Sequence, residues 1–197
     1  MQHLELRPGS VVVDLMTGMG ECWPYILHKK CLPAQLIALD FSTEMIRRAT
    51  VQKAKFPSAS ILILKENVFG NSIEDGMADC VISGFGLKTF DEAQLSSLAT
   101  EMYRILRPGG TFSMIDVSVP KNRLLRLLYM FYLKHVIPVL GSIFLGNPET
   151  YRMLGIYTEA FGNARKVEAI FRQHHFEVEY LEFFGGCASG IKGRKPA

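Results

Sequence analysis

This sequence of 197 residues contains few cysteines, one tryptophan and only a small excess of positive over negative charge. The four cysteines form no CxxC pair and no zinc-ligand spacing, which argues against a disulfide framework or a zinc site. We therefore expect buried, reduced thiols and a reducing compartment, the cytoplasm. The net charge of +3 is too small to indicate a nucleic-acid partner by itself.

No signal peptide is recognisable near the start of the sequence, because the apolar residues 11–13 lead into Asp14 and not into a cleavage site. Hydrophobic residues make up 48% of the chain, and we find no internal repeat or low-complexity tract. These features are typical of one globular domain with a substantial core, which we assign to residues 1–197.

The longest apolar segment, residues 123–145, also lacks the continuity that a transmembrane helix of about twenty apolar residues requires. Charged or helix-breaking residues interrupt it, namely Arg126, Lys134, His135 and Pro138. We predict instead a helical insertion, at about residues 120–160. The insertion either packs on the core or forms a lid over an apolar substrate, with peripheral membrane contact through residues 121–146.

Residues 11–20, VVVDLMTGMG, combine a buried type of strand with a glycine turn. Three valines run into Asp14, as in a parallel strand covered on both faces. Gly18 and Gly20 follow, and glycines here allow a tight turn in which backbone N–H groups can approach a ligand. A helix is predicted to follow over about residues 21–30.

A second buried type of strand, residues 36–40, ends in an acid twenty residues after Gly20. In nucleotide-binding α/β folds, an acid at this position accepts hydrogen bonds from ribose hydroxyls. The dinucleotide fingerprint would need glycine or alanine at position 23, where Trp23 stands. Its bulky indole prevents the close approach of helix and strand that NAD binding uses. The pattern therefore favours S-adenosylmethionine over NAD.

Strands and helices alternate through the rest of the chain. Further strands are predicted over residues 61–64, 79–83 and 111–117, and helices after the N-caps Ser42 and Asp91 and over residues 163–173. Residues 107–110 are predicted to end the helix that Asp91 begins. Residues 176–184 and 187–191 form a hairpin around a glycine pair. The predicted fold is a doubly wound, Rossmann-like α/β fold. Its seven-stranded, mostly parallel sheet is closed by an antiparallel hairpin, with the helical insertion after strand five.

Several motifs resemble those of class I S-adenosylmethionine methyltransferases, namely residues 13–21, 38–45 and 106–110. More specific stretches are residues 84–88 (GFGLK), 131–138 (FYLKHVIP) and 151–154 (YRML). With the closing glycine pair and the basic end of the chain, these are similar to the ubiquinone/menaquinone C-methyltransferase family. The resemblance covers nearly the whole chain from Leu6 onward. It implies methyl transfer from S-adenosylmethionine to a ring carbon of an apolar, quinol- or phenol-type molecule.

The resemblance also assigns the nucleoside part of the cofactor to residues at the ends of strands two and three. Asp40 is expected to hold the ribose hydroxyls. Asn67 or the Val68 backbone is expected to meet the adenine, on which Phe41 and Met45 pack.

The methionine part of the cofactor is assigned to the first glycine turn. Thr17, Gly18 and Gly20 are expected to admit it, and Asp14 to support its ammonium group. Asp14 has the alternative role of an acid that only orders the loop. Ser83, at the end of strand four, is expected beside the sulfonium.

Catalysis of this kind needs alignment more than covalent help from the protein. Methylation of a ring carbon also needs electron density at that carbon, which a phenolate supplies. Lys88 is the first candidate for a cation that favours the phenolate, and the family commonly has Arg-Asn where this chain has Lys-Thr. Tyr151, Asp116 and His135 are further candidates, with a purely structural role as the alternative for His135.

Two other functions remain alternatives at this point. The same fold could methylate a lipid amine, such as an ethanolamine headgroup, or the chain could be a non-catalytic member that binds only cofactor or partners. A nucleic-acid target is disfavoured, because the Asn/Asp-Pro-Pro-aromatic motif is missing after strand four, where residues 83–86 read SGFG. The sequence does not determine whether the protein forms an oligomer.

Overall fold

One mixed sheet organises the part of the chain that the computed structural model describes, residues 9–27, 33–139 and 148–197. Its strands are β1 (Val11–Leu15), β2 (Gln35–Asp40), β3 (Ile61–Lys65), β4 (Ala78–Gly84), β5 (Leu106–Val117), β6 (Glu177–Phe183) and β7 (Ala188–Arg194). The order is β3-β2-β1-β4-β5-β7-β6. Strands β1 to β5 are parallel, and β7 lies antiparallel between β5 and β6. The predicted fold class is confirmed.

Six helices accompany the sheet in the described ranges. They are α1 (Trp23–Leu27), α2 (Thr43–Lys53), α3 (Glu92–Ile105), α4 (Arg123–Phe131), α5 (Pro148–Phe161) and α6 (Arg165–Gln173). The two predicted N-caps are confirmed: Ser42 accepts a hydrogen bond from the Met45 N–H, and Asp91 forms a capping box with Gln94. Helix α1 covers only part of the predicted range 21–30, and residues 28–32 lie outside the described residues.

Val12 and Val13 of β1 are fully buried because helices cover both faces of the sheet. Val13 packs in a large cluster with residues of α3 and α6, whereas Val12 packs in a second cluster with Trp23 of α1 and Ala49 of α2. Adjacent strand residues point to opposite faces, so both faces require apolar side chains.

The predicted start of the fifth strand is wrong by several residues. Helix α3 ends at Ile105, just before residues 107–110, as predicted, but the strand predicted from residue 111 already begins at Leu106. Leu106 pairs with Ala78, and the register then shifts before Thr111 pairs with Cys80. The glycine stretch therefore forms an irregularity inside the strand. It is held by hydrogen bonds from the Gly109 N–H to the Lys195 carbonyl and from the Lys195 N–H to the Gly110 carbonyl.

The insertion after β5 is helical in the residues that the structure describes. Helix α4 continues into a single π-helical turn, Tyr132–Val136, and α5 packs against that turn. The contact is close, since a Cβ atom at Gly155 would lie 2.8 Å from Lys134 Cγ. Within residues 9–27, 33–139 and 148–197, no helix is long and apolar enough to cross a membrane.

Candidate functional site

The carboxyl ends of the parallel strands bring most of the predicted site residues to one edge of the sheet. The chain leaves β1 toward β2 and β3 on one side, and continues through β4 and β5 on the other. In open α/β sheets, ligands bind at this kind of switch point. The site therefore has a β1–β2 half and a β4–β5 half.

In the β1–β2 half, Asp40 joins the glycine turn to the start of α2. Its Oδ2 accepts a hydrogen bond from the Gly18 N–H at 3.0 Å, and its Oδ1 accepts one from the Ser42 N–H at 2.9 Å. A carboxylate has about four lone-pair sites, so the buried Asp40 keeps acceptor capacity for hydroxyl groups. The neighbouring Phe41 is 76% exposed and offers a flat apolar surface beside that carboxylate.

Asp14 is buried beneath the same turn and is hydrogen-bonded on one side only. Its Oδ2 accepts from the Thr17 hydroxyl at 2.5 Å and from the Trp23 indole N–H at 3.0 Å. Its Oδ1 is buried without a hydrogen-bond partner in the described structure. Burial raises the pKa of Asp14 to about 7, although the two donors act in the opposite direction.

Trp23 belongs to the site, although its position in the sequence indicated only an obstacle to NAD binding. The indole is fully buried, and a Cβ atom at Gly20 would lie 2.7 Å from its ring. Gly20 has a φ of +85°, so both the backbone conformation and this packing require glycine. The signal in the sequence was the one tryptophan of the chain, three residues after that glycine.

The loop after β4 packs directly on residues that follow β1. A Cβ atom at Gly84 would lie 2.8 Å from Cys22 Sγ, and one at Gly86 would lie 2.6 Å from Met16 Sδ. Cys22 and Met16, which the sequence analysis did not select, therefore connect the two halves of the site. Burial raises the pKa of the Cys22 thiol, which makes it a packing group and not a reactive one.

Lys88 and Asp116 form a buried ion pair in the β4–β5 half. The Lys88 ammonium lies 3.1 Å from Asp116 Oδ1, and the two side chains are 9% and 0% exposed. Asp116 Oδ2 also accepts from the Lys88 backbone N–H at 2.9 Å, and the ammonium donates to the Phe85 carbonyl. Burial raises the pKa of Asp116, and the charge of Lys88 opposes that shift. The two candidates are thus brought together, with the lysine charge already compensated.

The remaining candidates have different surroundings. Ser83 ends β4 with its hydroxyl buried and without a partner in the described structure. Asn67 is exposed and accepts from the Phe69 N–H, whereas Val68 beside it is buried. Met45 lies half-buried in the first turn of α2. None of these contacts tests the roles expected for the four residues.

The last two catalytic candidates lie in the helical insertion. His135 is exposed in the π-helical turn, with its ring 5.0 Å from that of Phe131. Tyr151 belongs to α5, but its side chain lies outside the described residues. Their roles stay predictions.

Comparison with known proteins gives consistent results along the whole chain. The model of the ubiE/COQ5 methyltransferase family matches residues 1–195. A demethylmenaquinone methyltransferase of Lactococcus lactis is 30% identical over 201 residues, covering 100% of this chain and 79% of the relative. The protein of the same name from Lactiplantibacillus plantarum is also 30% identical over 201 residues, with 100% and 83% covered.

A solved structure has the same fold at low sequence identity. A SAM-dependent methyltransferase from Aquifex aeolicus superposes with a TM-score of 0.67 at 19% identity, covering 95% of this chain and 83% of that one.

Proposed function

Because the chain belongs to the ubiE/COQ5 methyltransferase family and uses S-adenosylmethionine as its methyl donor, we propose that it methylates a ring carbon of an apolar quinol of the demethylmenaquinol type. The observation that carries the proposal is the end-to-end similarity to curated relatives named demethylmenaquinone methyltransferase. The acceptor is proposed in its reduced form, because a quinol supplies the electron density that a ring carbon needs.

The β1–β2 half of the site fits the proposed cofactor. Asp40 retains acceptor capacity for ribose hydroxyls, and the exposed Phe41 ring beside it offers a stacking surface for adenine. Asp14 has a buried oxygen with no donor among the described residues, which suits an ammonium group. Gly18 and Gly20, both at positive φ, carry no Cβ atom at their two positions in the turn between these acids. When bound, the cofactor supplies an electrophilic methyl group on a sulfonium.

The β4–β5 half is proposed to hold the acceptor ring. Lys88 is fixed by Asp116 and by the Phe85 carbonyl, so its ammonium has little freedom to move. We assign Lys88 the role of favouring the acceptor's phenolate. Because Asp116 compensates its charge, Lys88 exerts a weaker electrostatic field on the acceptor than an isolated cation would. The fixed position of its ammonium group is therefore its larger contribution to catalysis.

Helix α4 supports the proposal of peripheral contact with a membrane, into which an apolar quinol partitions. It leaves four apolar side chains between 59% and 68% exposed: Leu124, Leu127, Leu128 and Phe131. Their i, i+3, i+4, i+7 spacing puts them on one face, and Met130 is buried on the other. Residues 117–148 contain no acidic side chain, but contain Lys121, Arg123, Arg126 and Lys134. Lys121 pairs with Glu182 and Lys134 with Glu159, so Arg123 and Arg126 are the cations that we propose for contact with an anionic bilayer surface. We place the protein on the cytoplasmic side.

The proposed acceptor is tested by methyl transfer with a panel of acceptors and labelled S-adenosylmethionine. The panel contains a short-chain demethylmenaquinol, its oxidised quinone and phosphoethanolamine, each with the intact chain. We expect turnover with the quinol alone. Turnover with phosphoethanolamine and none with the quinol would contradict the proposal. Binding of S-adenosylhomocysteine without turnover of any acceptor would favour a non-catalytic role.

A further inference from the structure

The buried Asp14 carboxylate has an uneven arrangement of hydrogen bonds. Both donors that reach it, the Thr17 hydroxyl and the Trp23 indole N–H, converge on Oδ2. The indole N–H also lies 3.0 Å from the Thr17 oxygen, so the three groups form a closed triangle. The other oxygen, Oδ1, is buried and receives no hydrogen bond from the residues that the structure describes. A buried carboxylate oxygen in this state favours either a proton or a cation.

The packing of Trp23 makes this arrangement rigid. The indole has no exposed surface, and its ring fills the space beneath Gly20. The Trp23 N–H therefore has one available direction, toward Thr17 and Asp14. Position 23 is where a dinucleotide-binding site has its third glycine. In this chain Trp23 stands there and donates a hydrogen bond to Asp14 of β1.

We infer that Trp23 and Thr17 are positioning residues for the cofactor: by occupying Oδ2, they reserve Oδ1 of Asp14 for the ammonium group of S-adenosylmethionine. The inference concerns the cofactor half of the site and does not depend on which acceptor is methylated. It assigns a role to a residue that the proposed function does not use.

Charges around Asp14 explain why its protonation is coupled to binding. Glu21 and Asp40 add negative charge beside it, Cys22 is held as a neutral thiol, and burial is the main cause of its raised pKa. The ammonium pairs with the ionised carboxylate, so cofactor affinity rises as pH increases through about 7. Loss of the Trp23 donor raises the pKa of Asp14 further, which moves this transition to higher pH.

The test is calorimetry with S-adenosylhomocysteine between pH 6 and pH 8.5, using 5′-methylthioadenosine as a ligand that lacks the amino-acid part. Trp23→Phe removes the N–H and keeps a ring, while Thr17→Val removes the hydroxyl at similar shape. We expect each variant to bind S-adenosylhomocysteine about tenfold more weakly at pH 7, the scale of a hydrogen bond to a charged group. The pH midpoint moves upward in both variants, because each loses a donor that lowers the pKa of Asp14, and 5′-methylthioadenosine binds as in the wild type.

Two controls separate positioning from general damage to the fold. Thr17→Ser keeps the hydroxyl and should bind S-adenosylhomocysteine with an affinity near that of the wild type. Tyr25→Phe changes an exposed side chain of α1, the helix that contains Trp23, and should not change the affinity. An equal loss of affinity for both ligands in Thr17→Val would overturn the inference. Wild-type affinity and an unchanged pH midpoint in both variants would also overturn it. If Trp23→Phe does not fold, the Thr17→Val and Thr17→Ser pair decides.

Discussion

At the residue scale, the Lys88–Asp116 pair changes how a lysine at this site can act. Asp116 is fully buried and receives the Lys88 ammonium, the Lys88 N–H and the Val117 N–H. Removal of one partner of such a pair leaves an uncompensated buried charge. A loss of activity after substitution of Lys88 alone would therefore mix a catalytic effect with a loss of stability.

A double-mutant cycle on the free energy of unfolding separates these effects. We expect Lys88→Met to destabilise the protein by about 3–5 kcal/mol, because Asp116 stays buried and charged or must take up a proton. Adding Asp116→Asn removes the charge and keeps an amide oxygen for the backbone donors, so the double variant should recover much of that loss. Urea denaturation provides the measurement.

The exposed pair of Arg48 with Glu44 is the matched control, since its side chains are about half exposed. Arg48→Met should cost at most about 1 kcal/mol. The interpretation of Lys88–Asp116 as a coupled buried pair fails if Lys88→Met costs no more than this control, or if the two changes at Lys88 and Asp116 are simply additive.

Individual site residues could be predicted from sequence better than their contacts. Lys88 and Asp116 were both selected, yet their pairing across 28 positions depends on the register of β4 and β5. The hydrogen bond from Trp23 to Asp14 depends on how a buried ring packs under Gly20. Such packing is a tertiary property that residue type and spacing do not determine.

At the element scale, local chemistry explains both the successes and the error. Ser42 and Asp91 were recognised as N-caps because their side chains satisfy helix N–H groups within the same turn. Residues 107–110 were correctly predicted to follow the end of α3, but they were not recognised as part of β5, because their hydrogen bonds to Lys195 come from the far end of the chain. Local signals identify caps reliably, whereas strand ends depend on distant partners.

The proposed membrane contact of helix α4 is tested by measuring the binding of the protein to lipid vesicles by sedimentation. We expect the protein to bind vesicles that contain phosphatidylglycerol, and to bind more weakly at high salt because basic side chains contribute. Leu128→Ser combined with Phe131→Ser should weaken binding more than tenfold, since each buried apolar side chain contributes about 1.5–3 kcal/mol.

Val51→Ser is the control for this experiment, because Val51 is a similarly exposed apolar residue on a different helix, α2. It should bind vesicles as the wild type does. Equal binding by the α4 variant and the wild type would show that another surface contacts the bilayer. Self-association that the α4 changes abolish would instead assign this face to a second copy of the chain.

At the scale of the whole molecule, alternation of strands and helices was sufficient to predict the sheet class. Buried runs that end in acids and glycines predicted parallel strands with a site at their carboxyl ends, and the glycine pair at 185–186 predicted the hairpin. The hairpin alone did not determine that β7 lies between β5 and β6. That order depends on pairing between β5 and β7, which are far apart in sequence.

The central claim is that the methyl group of S-adenosylmethionine reaches a ring carbon of a quinol. The most direct measurement uses cofactor with a ¹³C-labelled methyl group, a short-chain demethylmenaquinol, and NMR of the isolated product. We predict a labelled methyl group bonded to the ring carbon, with the ring proton at that position lost. A label on a quinol oxygen, or on the nitrogen of an amine acceptor in place of the quinol, would contradict it.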